Sequence, residues 1–193
     1  MTTDATQVES ALRTELRTLS LARDTLPMLT TWGVEDFSHT IHSLGCNYLT
    51  AIGRASGFWA MSEYPIRTPS AGPGISVRPD VAWWERANRE VVLLGEFERA
   101  EAKNSAKLVD KAKNLLQAHH ALGERPRVLA LLAWATAGTS LGDLAAVRSV
   151  MANGFRTPTG APVRGLGVHS RFVLATAVFG ETDGRGRLVE VTQ

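Results

Sequence analysis

Apolar side chains recur at two spacings along the chain, and the two spacings separate helices from strands. Steps of three and four residues predict helices over residues 5–24, 34–53 and 105–119. Helix start and stop signals predict a fourth helix over residues 139–152. The second helix has the clearest stripe, formed by Phe37, Ile41, Leu44, Tyr48 and Ile52. Such a stripe is typical of a helix that packs one face on a hydrophobic core.

Short apolar runs between these helices predict strands. They cover residues 58–66, 78–85, 90–98, 128–134, 172–179 and 188–191. The run 128–134 is almost uninterrupted, which indicates a strand covered on both faces. Because strands alternate with helices, we expect an α/β fold with a mixed central sheet flanked by helices on both faces.

The length of 193 residues predicts one sizeable domain. We assign this domain to residues 31–193 and treat residues 1–30 as an additional N-terminal helical segment. The apolar stripe of that segment is expected to cover the core, with a second subunit as the alternative partner. Glycine and proline predict loops over residues 67–74 and 156–169.

Three acids stand out where the apolar pattern predicts a β-hairpin. Asp80 lies in the first strand of the hairpin, and Glu96 and Glu98 end the second strand. Alternation along a strand places Glu96 and Glu98 on one face, with Val92 and Leu94 behind them. Like charges this close repel each other, so one of the acids must take up a proton unless a cation neutralises them. A divalent metal that prefers oxygen ligands, such as Mg²⁺, is such a cation.

Charge and cysteine content restrict the classes of function. The net charge of +2 argues against a protein that coats nucleic acid and leaves room for a local basic surface. The single cysteine, Cys46, excludes an intrachain disulfide and favours a reducing compartment. Because the N-terminus lacks a signal-peptide pattern and no apolar run is long enough to cross a bilayer, we expect a cytoplasmic protein without membrane contact.

Other polar residues recur beside the apolar stripe of the second helix. Glu35, His39, His42 and Cys46 follow helical spacing. A zinc site is disfavoured here, because one helix rarely supplies three ligands and no fourth is evident. A half-buried polar edge facing the next layer is the expected alternative. In a further one, Glu35 or one of the two histidines, His39 or His42, faces the three acids.

Lysines follow the acidic strand. Lys107 and Lys111 lie one turn apart on one flank of the helix over residues 105–119, and Lys103 lies in the link before it. A solvated surface is the usual role of such lysines. Because this helix begins just after the acidic strand, each of the three could instead reach the acids. We interpret His119 and His120 as helix C-terminal residues that suit the helix dipole.

Residues 34–136 resemble the PD-(D/E)xK, or restriction-endonuclease-like, nuclease superfamily. Pro79-Asp80 matches its Pro-Asp motif, and Glu96-Phe97-Glu98 stands where the family has (Asp/Glu)-x-Lys. The position of the family's lysine is therefore Glu98 here. In some members the lysine comes from the following helix, and Lys103, Lys107 or Lys111 could take that role.

The resemblance implies metal-dependent hydrolysis of phosphodiester bonds, with DNA as the expected substrate. Asp80 and Glu96 would hold Mg²⁺ or Mn²⁺, and Glu98 would complete a second metal site or accept a proton. A lysine of the helix would neutralise charge on the phosphate. Candidate nucleic-acid contacts are Arg78, Arg99, Lys103, Arg156, Arg164 and Arg171. Cleavage of both strands would require two sites and therefore favours a homodimer.

Two other interpretations remain open at the level of sequence. The chain could be a catalytically inactive nuclease-fold module that binds nucleic acid or a protein partner, because the family's lysine is missing. Alternatively, the acids could be ordinary charges at strand ends. Convergence of Asp80, Glu96 and Glu98 distinguishes the nuclease from the last of these.

Overall fold

The computed structural model describes residues 4–36, 39–68, 76–102 and 104–193. The helices are α1 (Ala5–Thr18), α2 (Ser20–Thr25), α3 (Pro27–Thr30), α4 (Thr40–Ala55), α5 (Ala106–Ala121) and α6 (Ala145–Asn153). The strands are β1 (Trp59–Ser62), β2 (Ile66–Arg67), β3 (Ser76–Val77), β4 (Val81–Trp84), β5 (Val91–Arg99), β6 (Val128–Thr136), β7 (Phe155–Arg156), β8 (Pro162–Val163), β9 (Arg171–Thr182) and β10 (Arg185–Thr192).

A six-stranded sheet forms the centre of the protein, in the order β1-β4-β5-β6-β9-β10. Strands β5, β6 and β9 run parallel, whereas β1, β4 and β10 pair antiparallel with their neighbours. Parallel neighbours require crossover connections, and α5 and α6 lie within those connections. The prediction of an α/β fold with a mixed central sheet is therefore confirmed.

Each face of the sheet is covered by its own set of helices. On β5, Leu93 and Phe97 pack in one core with residues of α1 and α4, whereas Leu94 packs in a second core with residues of α5 and α6. The N-terminal segment covers the first core, because Val8 and Leu12 of α1 are buried in it. None of the helices in the described part of the chain is long and apolar enough to cross a membrane.

The β4–β5 hairpin forms with the antiparallel pairing that the sequence predicts. One detail differs. A bulge opposite Trp83 and Trp84 inserts an extra residue, so Val92 joins the first core, while Leu94 joins the second. The prediction that both residues lie on one face is therefore wrong for Val92, because a bulge interrupts the two-residue period.

The two N-terminal helix predictions have the wrong boundaries. The predicted helix 5–24 breaks at Leu19, whose φ of 52° is left-handed, and Glu15 caps the second piece by accepting a hydrogen bond from the Ala22 N–H. The predicted helix 34–53 begins instead at Thr40. Val34 lies outside it, because it exchanges two backbone hydrogen bonds with Gly186 of β10. Phe37 lies outside the described residues.

Two later segments also differ from their predictions. The helix predicted over residues 139–152 begins at Ala145, where Asp143 Oδ1 accepts the backbone N–H, because Leu141 first pairs with Ala102. The loop over residues 156–169 contains part of the small β7–β8 hairpin. The strand predicted over residues 58–66 breaks after β1, where Glu63 has a φ of 57°. The predicted loop 67–74 lies mostly outside the described residues.

Candidate functional site

The β4–β5 hairpin brings Asp80 next to the acidic end of β5. Asp80 immediately precedes β4, and the antiparallel register pairs Val81 with Gly95. The Asp80 side chain therefore faces the following residues of β5, and Asp80 Oδ2 accepts a 2.7 Å hydrogen bond from the Phe97 N–H. This bond fixes the carboxylate and leaves Oδ1 directed elsewhere. Asp80 is 3% exposed and Glu96 is 0% exposed, which is an unusually deep position for two acids.

Lys111 of α5 lies at the point where the three acids meet. Its Nζ is 2.6 Å from Glu96 Oε2, 3.4 Å from Asp80 Oδ1 and 3.9 Å from Glu98 Oε2. Helix α5 is held in place by Leu108, Ala112 and Leu115, which are buried against the sheet. Three carboxylates thus converge around one ammonium group. We call Asp80, Glu96, Glu98 and Lys111 the acid cluster.

Burial and repulsion between the carboxylates oppose full ionisation of the acid cluster. Burial and the neighbouring Asp80 carboxylate raise the pKa of Glu96 well above its ordinary value, and Lys111 opposes that shift. Burial lowers the pKa of Lys111, but Glu96 and Asp80 outweigh it, so the net shift of that pKa is upward. Lys111 therefore stays charged at neutral pH. Among the described residues, the buried Glu96 Oε1 has no hydrogen-bond partner.

An open pocket of about 620 Å³ adjoins the acid cluster. Asp80, Glu98 and Lys111 line it, whereas Glu96 lies behind Lys111 and does not. Basic side chains form other parts of its wall, namely Arg78, Arg99 and Lys107. The Arg99 guanidinium is 5.3 Å from the centre of the Trp134 ring, which helps to fix it. The pocket thus joins buried acids to flanking cations.

Several residues that the sequence analysis proposed lie elsewhere. Arg164 pairs with Glu124 at 2.8 Å, Arg171 pairs with Glu9 at 2.9 Å, and Arg156 donates to the Gly160 carbonyl, so none of these arginines lines the pocket. The β7–β8 hairpin and the start of β9 direct these arginines to other partners, away from the acids. Their binding of nucleic acid stays a prediction.

The other candidate residues also divide into those that line the pocket and those that do not. Glu35 forms a 2.9 Å ion pair with Arg185 and does not face the acids, because the Val34–Gly186 pairing holds it beside β10. His39 lines the pocket at the start of α4. Lys107 also lines the pocket and is ion-paired with Glu101 at 2.7 Å. Lys103 lies outside the described residues.

The sequence analysis raised His42 only as one of two histidines that could face the acids and left Cys46 unassigned, and both residues adjoin the site. His42 Nε2 is 3.7 Å from Asp80 Oδ1 and 3.6 Å from Cys46 Sγ, and His42 Nδ1 is 2.8 Å from the Phe97 carbonyl oxygen. Burial, followed by the charge of Asp80, raises the pKa of the Cys46 thiol to about 12. The four-residue spacing of His42 and Cys46 was a visible signal, but only tertiary packing brings Asp80 beside them.

Two donor sets in this region could hold a metal ion. The acid cluster offers only carboxylate oxygens, which suit Mg²⁺ and Mn²⁺. His42, Cys46 and Asp80 offer one nitrogen, one sulfur and one oxygen, with the three ligand atoms within 4.8 Å of one another. Asp80 belongs to both sets and lies between them.

Comparisons of this chain with protein-family models, with curated proteins and with solved structures gave no match. Its function is therefore inferred from the placement and chemistry of its own residues.

Proposed function

We propose that this protein is a metal-dependent nuclease that hydrolyses phosphodiester bonds, with DNA as the expected substrate. The observation that carries the proposal is the position of Lys111 Nζ, within 3.9 Å of oxygens of Asp80, Glu96 and Glu98. In the sequence, Glu98 occupies the place where PD-(D/E)xK nucleases have lysine. A cation from α5 restores the combination of two acids and one lysine that this class of nuclease uses.

The architecture around the cluster supports the same class. An antiparallel hairpin (β4–β5) carries the acids, β6 pairs parallel with β5, and α4 and α5 precede and follow the hairpin on opposite faces. We propose that this arrangement is restriction-endonuclease-like. Fold-level likeness alone carries little functional weight, so the acid cluster remains the main support.

The donor atoms of the cluster fit a divalent ion. Asp80 and Glu96 would hold Mg²⁺ or Mn²⁺, because both are fixed in place and offer hard oxygen ligands. Glu96 Oε1 is buried without a partner among the described residues, and an unsatisfied carboxylate oxygen is costly unless a cation or donor meets it. When bound, such an ion polarises the scissile phosphate and makes a water molecule more acidic.

The other residues of the pocket have separable roles in hydrolysis. Glu98 lines the pocket, and its side chain is 21% exposed, so it can accept the proton of the attacking water. Lys111 lines the pocket and contacts Glu96, so its ammonium can stabilise the negative charge that develops on the phosphate. Arg78, Arg99 and Lys107 would bind flanking phosphates and position the strand.

A non-catalytic module with the same fold is the second candidate. The observation that favours it is the direct contact of Lys111 with Glu96 at 2.6 Å, which neutralises the buried acid without any metal ion. In that case the basic wall of the pocket would bind nucleic acid, or another surface would bind a protein partner, and no bond would be broken.

A cleavage assay separates the two candidates. Plasmid, linear duplex, single-stranded DNA and RNA are incubated with the protein and Mg²⁺ or Mn²⁺, with EDTA as the metal-free control. We expect the wild type to cleave. Asp80→Asn and Glu96→Gln should each reduce the cleavage rate by about 100-fold or more, because each replaces a proposed metal-binding carboxylate by an amide of similar shape. The exposed acid variant Glu190→Gln on β10 is the matched control and should cleave as the wild type does.

Equal cleavage by wild type, Asp80→Asn and Glu96→Gln would contradict the proposed site. Absence of cleavage together with clear DNA binding would instead support the non-catalytic module.

A further inference from the structure

We propose a second metal site, formed by His42, Cys46 and Asp80, that takes a thiolate-binding ion of the Zn²⁺ class. It is chemically distinct from the oxygen-only acid cluster and does not depend on the nuclease reaction. His42 and Cys46 are the two ligands on α4. They face β4 and β5, because α4 packs on these strands through Gly45 and Gly53. Asp80, at the start of β4, supplies the ligand that a single helix cannot.

The two distances from His42 Nε2 to the other ligand atoms fit a tetrahedral ion. With zinc bonds of about 2.3 Å to sulfur and 2.0 to 2.2 Å to nitrogen or oxygen, neighbouring ligand atoms of a tetrahedron lie roughly 3.3 to 3.7 Å apart. His42 Nε2 is 3.6 Å from Cys46 Sγ and 3.7 Å from Asp80 Oδ1. The third distance, between Cys46 Sγ and an Asp80 carboxylate oxygen, is within 4.8 Å, so side-chain rotation can bring all three ligands onto one ion.

The hydrogen bond of His42 on its other nitrogen prepares the ring for metal binding. The Phe97 carbonyl oxygen can only accept, so His42 Nδ1, 2.8 Å away, carries the proton. In the neutral ring, the lone pair is then on Nε2, which faces Cys46 and Asp80. A backbone carbonyl bonded to the far nitrogen is the usual support of a metal-binding histidine.

The same geometry argues against a nucleophilic Cys–His–Asp triad. In such a triad the acid holds one ring nitrogen and the nucleophile faces the other. Here Cys46 and Asp80 both face Nε2, while Nδ1 is bonded to the backbone. Cys46 is also only 6% exposed and does not line the pocket, so a substrate atom has no open approach to its sulfur.

The ligand set selects the kind of ion and leaves one position open. Thiolate and imidazole favour Zn²⁺ and Co²⁺ over Mg²⁺, which prefers oxygen. Three protein ligands leave a fourth coordination position, as in zinc sites that bind water or substrate. His42 and Asp80 both line the pocket, so the entry path and the fourth ligand come from that side.

Titration of the reduced, metal-free protein with Co²⁺ tests this site directly, because cobalt bound to thiolate gives a near-ultraviolet charge-transfer absorption. We expect saturation of this band at one equivalent, and loss of the band in Cys46→Ser. In His42→Ala the apparent Co²⁺ affinity should fall at least about 100-fold, since even residues that only support a ligand contribute 10- to 100-fold. His39→Ala is the matched control, because His39 lines the same pocket outside the ligand group.

Near-ultraviolet circular dichroism verifies that each variant is folded. Absence of the band at millimolar Co²⁺ in the folded wild type would overturn the site, as would a band that persists in Cys46→Ser. Glu96→Gln separates this proposal from the proposed nuclease, because it removes a ligand of the acid cluster alone. The cobalt band should persist in Glu96→Gln, and its loss there would also contradict the assignment of ligands.

Discussion

Lys111 is the residue on which the acid cluster depends most. Among the described residues, Lys111 is the cation that contacts all three acids. Its removal therefore leaves Glu96 buried without a countercharge. We expect Lys111→Met to lower the free energy of unfolding by about 2 to 4 kcal/mol in metal-free buffer, since breaking a buried pair is costly and protonation of Glu96 relieves part of the cost. Urea unfolding measures this change.

Two comparisons complete that measurement. Lys113→Met on the same helix removes a 3.0 Å pair with Asp110, whose side chain is 70% exposed, and should cost less than about 1 kcal/mol. Mg²⁺ or Mn²⁺ should stabilise Lys111→Met more than the wild type, because the ion then replaces the missing charge. Equal losses in the two lysine variants would show that Lys111 is only a surface lysine.

His119 predicts a pH dependence that is separate from the site. Its ring is 3% exposed, and burial, assisted by His120 and opposed by Glu124, lowers the pKa of His119 to about 4 from 6.5. Above pH 6.5 the ring is neutral in both states and adds no pH dependence to the stability. As the pH falls from 6.5 to 4, only the unfolded state takes up the proton, so stability falls by roughly 3 kcal/mol.

Urea unfolding of wild type and His119→Leu between pH 7 and pH 4 tests this sign. As the pH falls, the free energy of unfolding of His119→Leu should rise relative to that of the wild type. His169→Leu, which replaces an exposed ring, is the control and should follow the wild type. A constant difference between wild type and His119→Leu would contradict the account of His119.

At the scale of elements, the close contact of α4 with the sheet is what brings the site together. A Cβ at Gly45 would collide with the Phe97 ring, and one at Gly53 would lie 2.7 Å from Trp83. Phe97 also provides the carbonyl that holds His42. The two glycines therefore set the distance between α4 and the acidic hairpin.

Gly45→Ala tests this contact. Alanine favours a helix by about 1 kcal/mol relative to glycine, yet we expect a net loss of roughly 1 to 3 kcal/mol in the free energy of unfolding, because the helix must move away from Phe97. Gly167→Ala is the control, since a Cβ there meets no atom within 4 Å, and it should change stability by less than about 0.5 kcal/mol. A stabilised Gly45→Ala would show that α4 packs less closely.

Element prediction succeeded where the apolar period is long and local. Strand β6 is buried along nearly its whole length, so an unbroken apolar run identifies it. Helix α5 presents Leu108, Ala112 and Leu115 on one face, so helical spacing identifies it. Element prediction failed where a tertiary contact overrides the period. Val34 pairs with Gly186, far along the chain, and no local pattern contains that information.

At the scale of the whole molecule, the sequence identified the acids and not all of their neighbours. The three acids lie on a hairpin, where local pairing determines which side chains meet. The His42–Cys46–Asp80 group requires α4 to pack on that hairpin, and the arginines at positions 156, 164 and 171 depend on where β7, β8 and β9 lie. These are distances between remote elements, which hydrophobic periodicity does not specify.

The placement of the arginines gives a prediction for nucleic-acid binding. Arg78 lines the pocket, whereas Arg164 is paired with Glu124 elsewhere. We expect Arg78→Gln to weaken DNA binding and to reduce the slope of log affinity against log salt by about 1, as loss of one phosphate contact does. Fluorescence anisotropy at several salt concentrations, with Arg164→Gln as the control, measures both quantities. A larger effect in Arg164→Gln would place the DNA on another surface.

The central claim of the proposed function is that Lys111 on α5 takes the role that PD-(D/E)xK nucleases give to a lysine at the position of Glu98. Its most direct test is the single-turnover rate of DNA cleavage with Mg²⁺ for wild type, Lys111→Met and the double variant Glu98→Lys/Lys111→Met. We predict a fall of about 100-fold or more in Lys111→Met, because a charge that stabilises the transition state is lost. Recovery in the double variant should be only partial, because a lysine returns to the end of β5 while the proposed proton acceptor Glu98 is lost. Cleavage by Lys111→Met at the wild-type rate would contradict the claim.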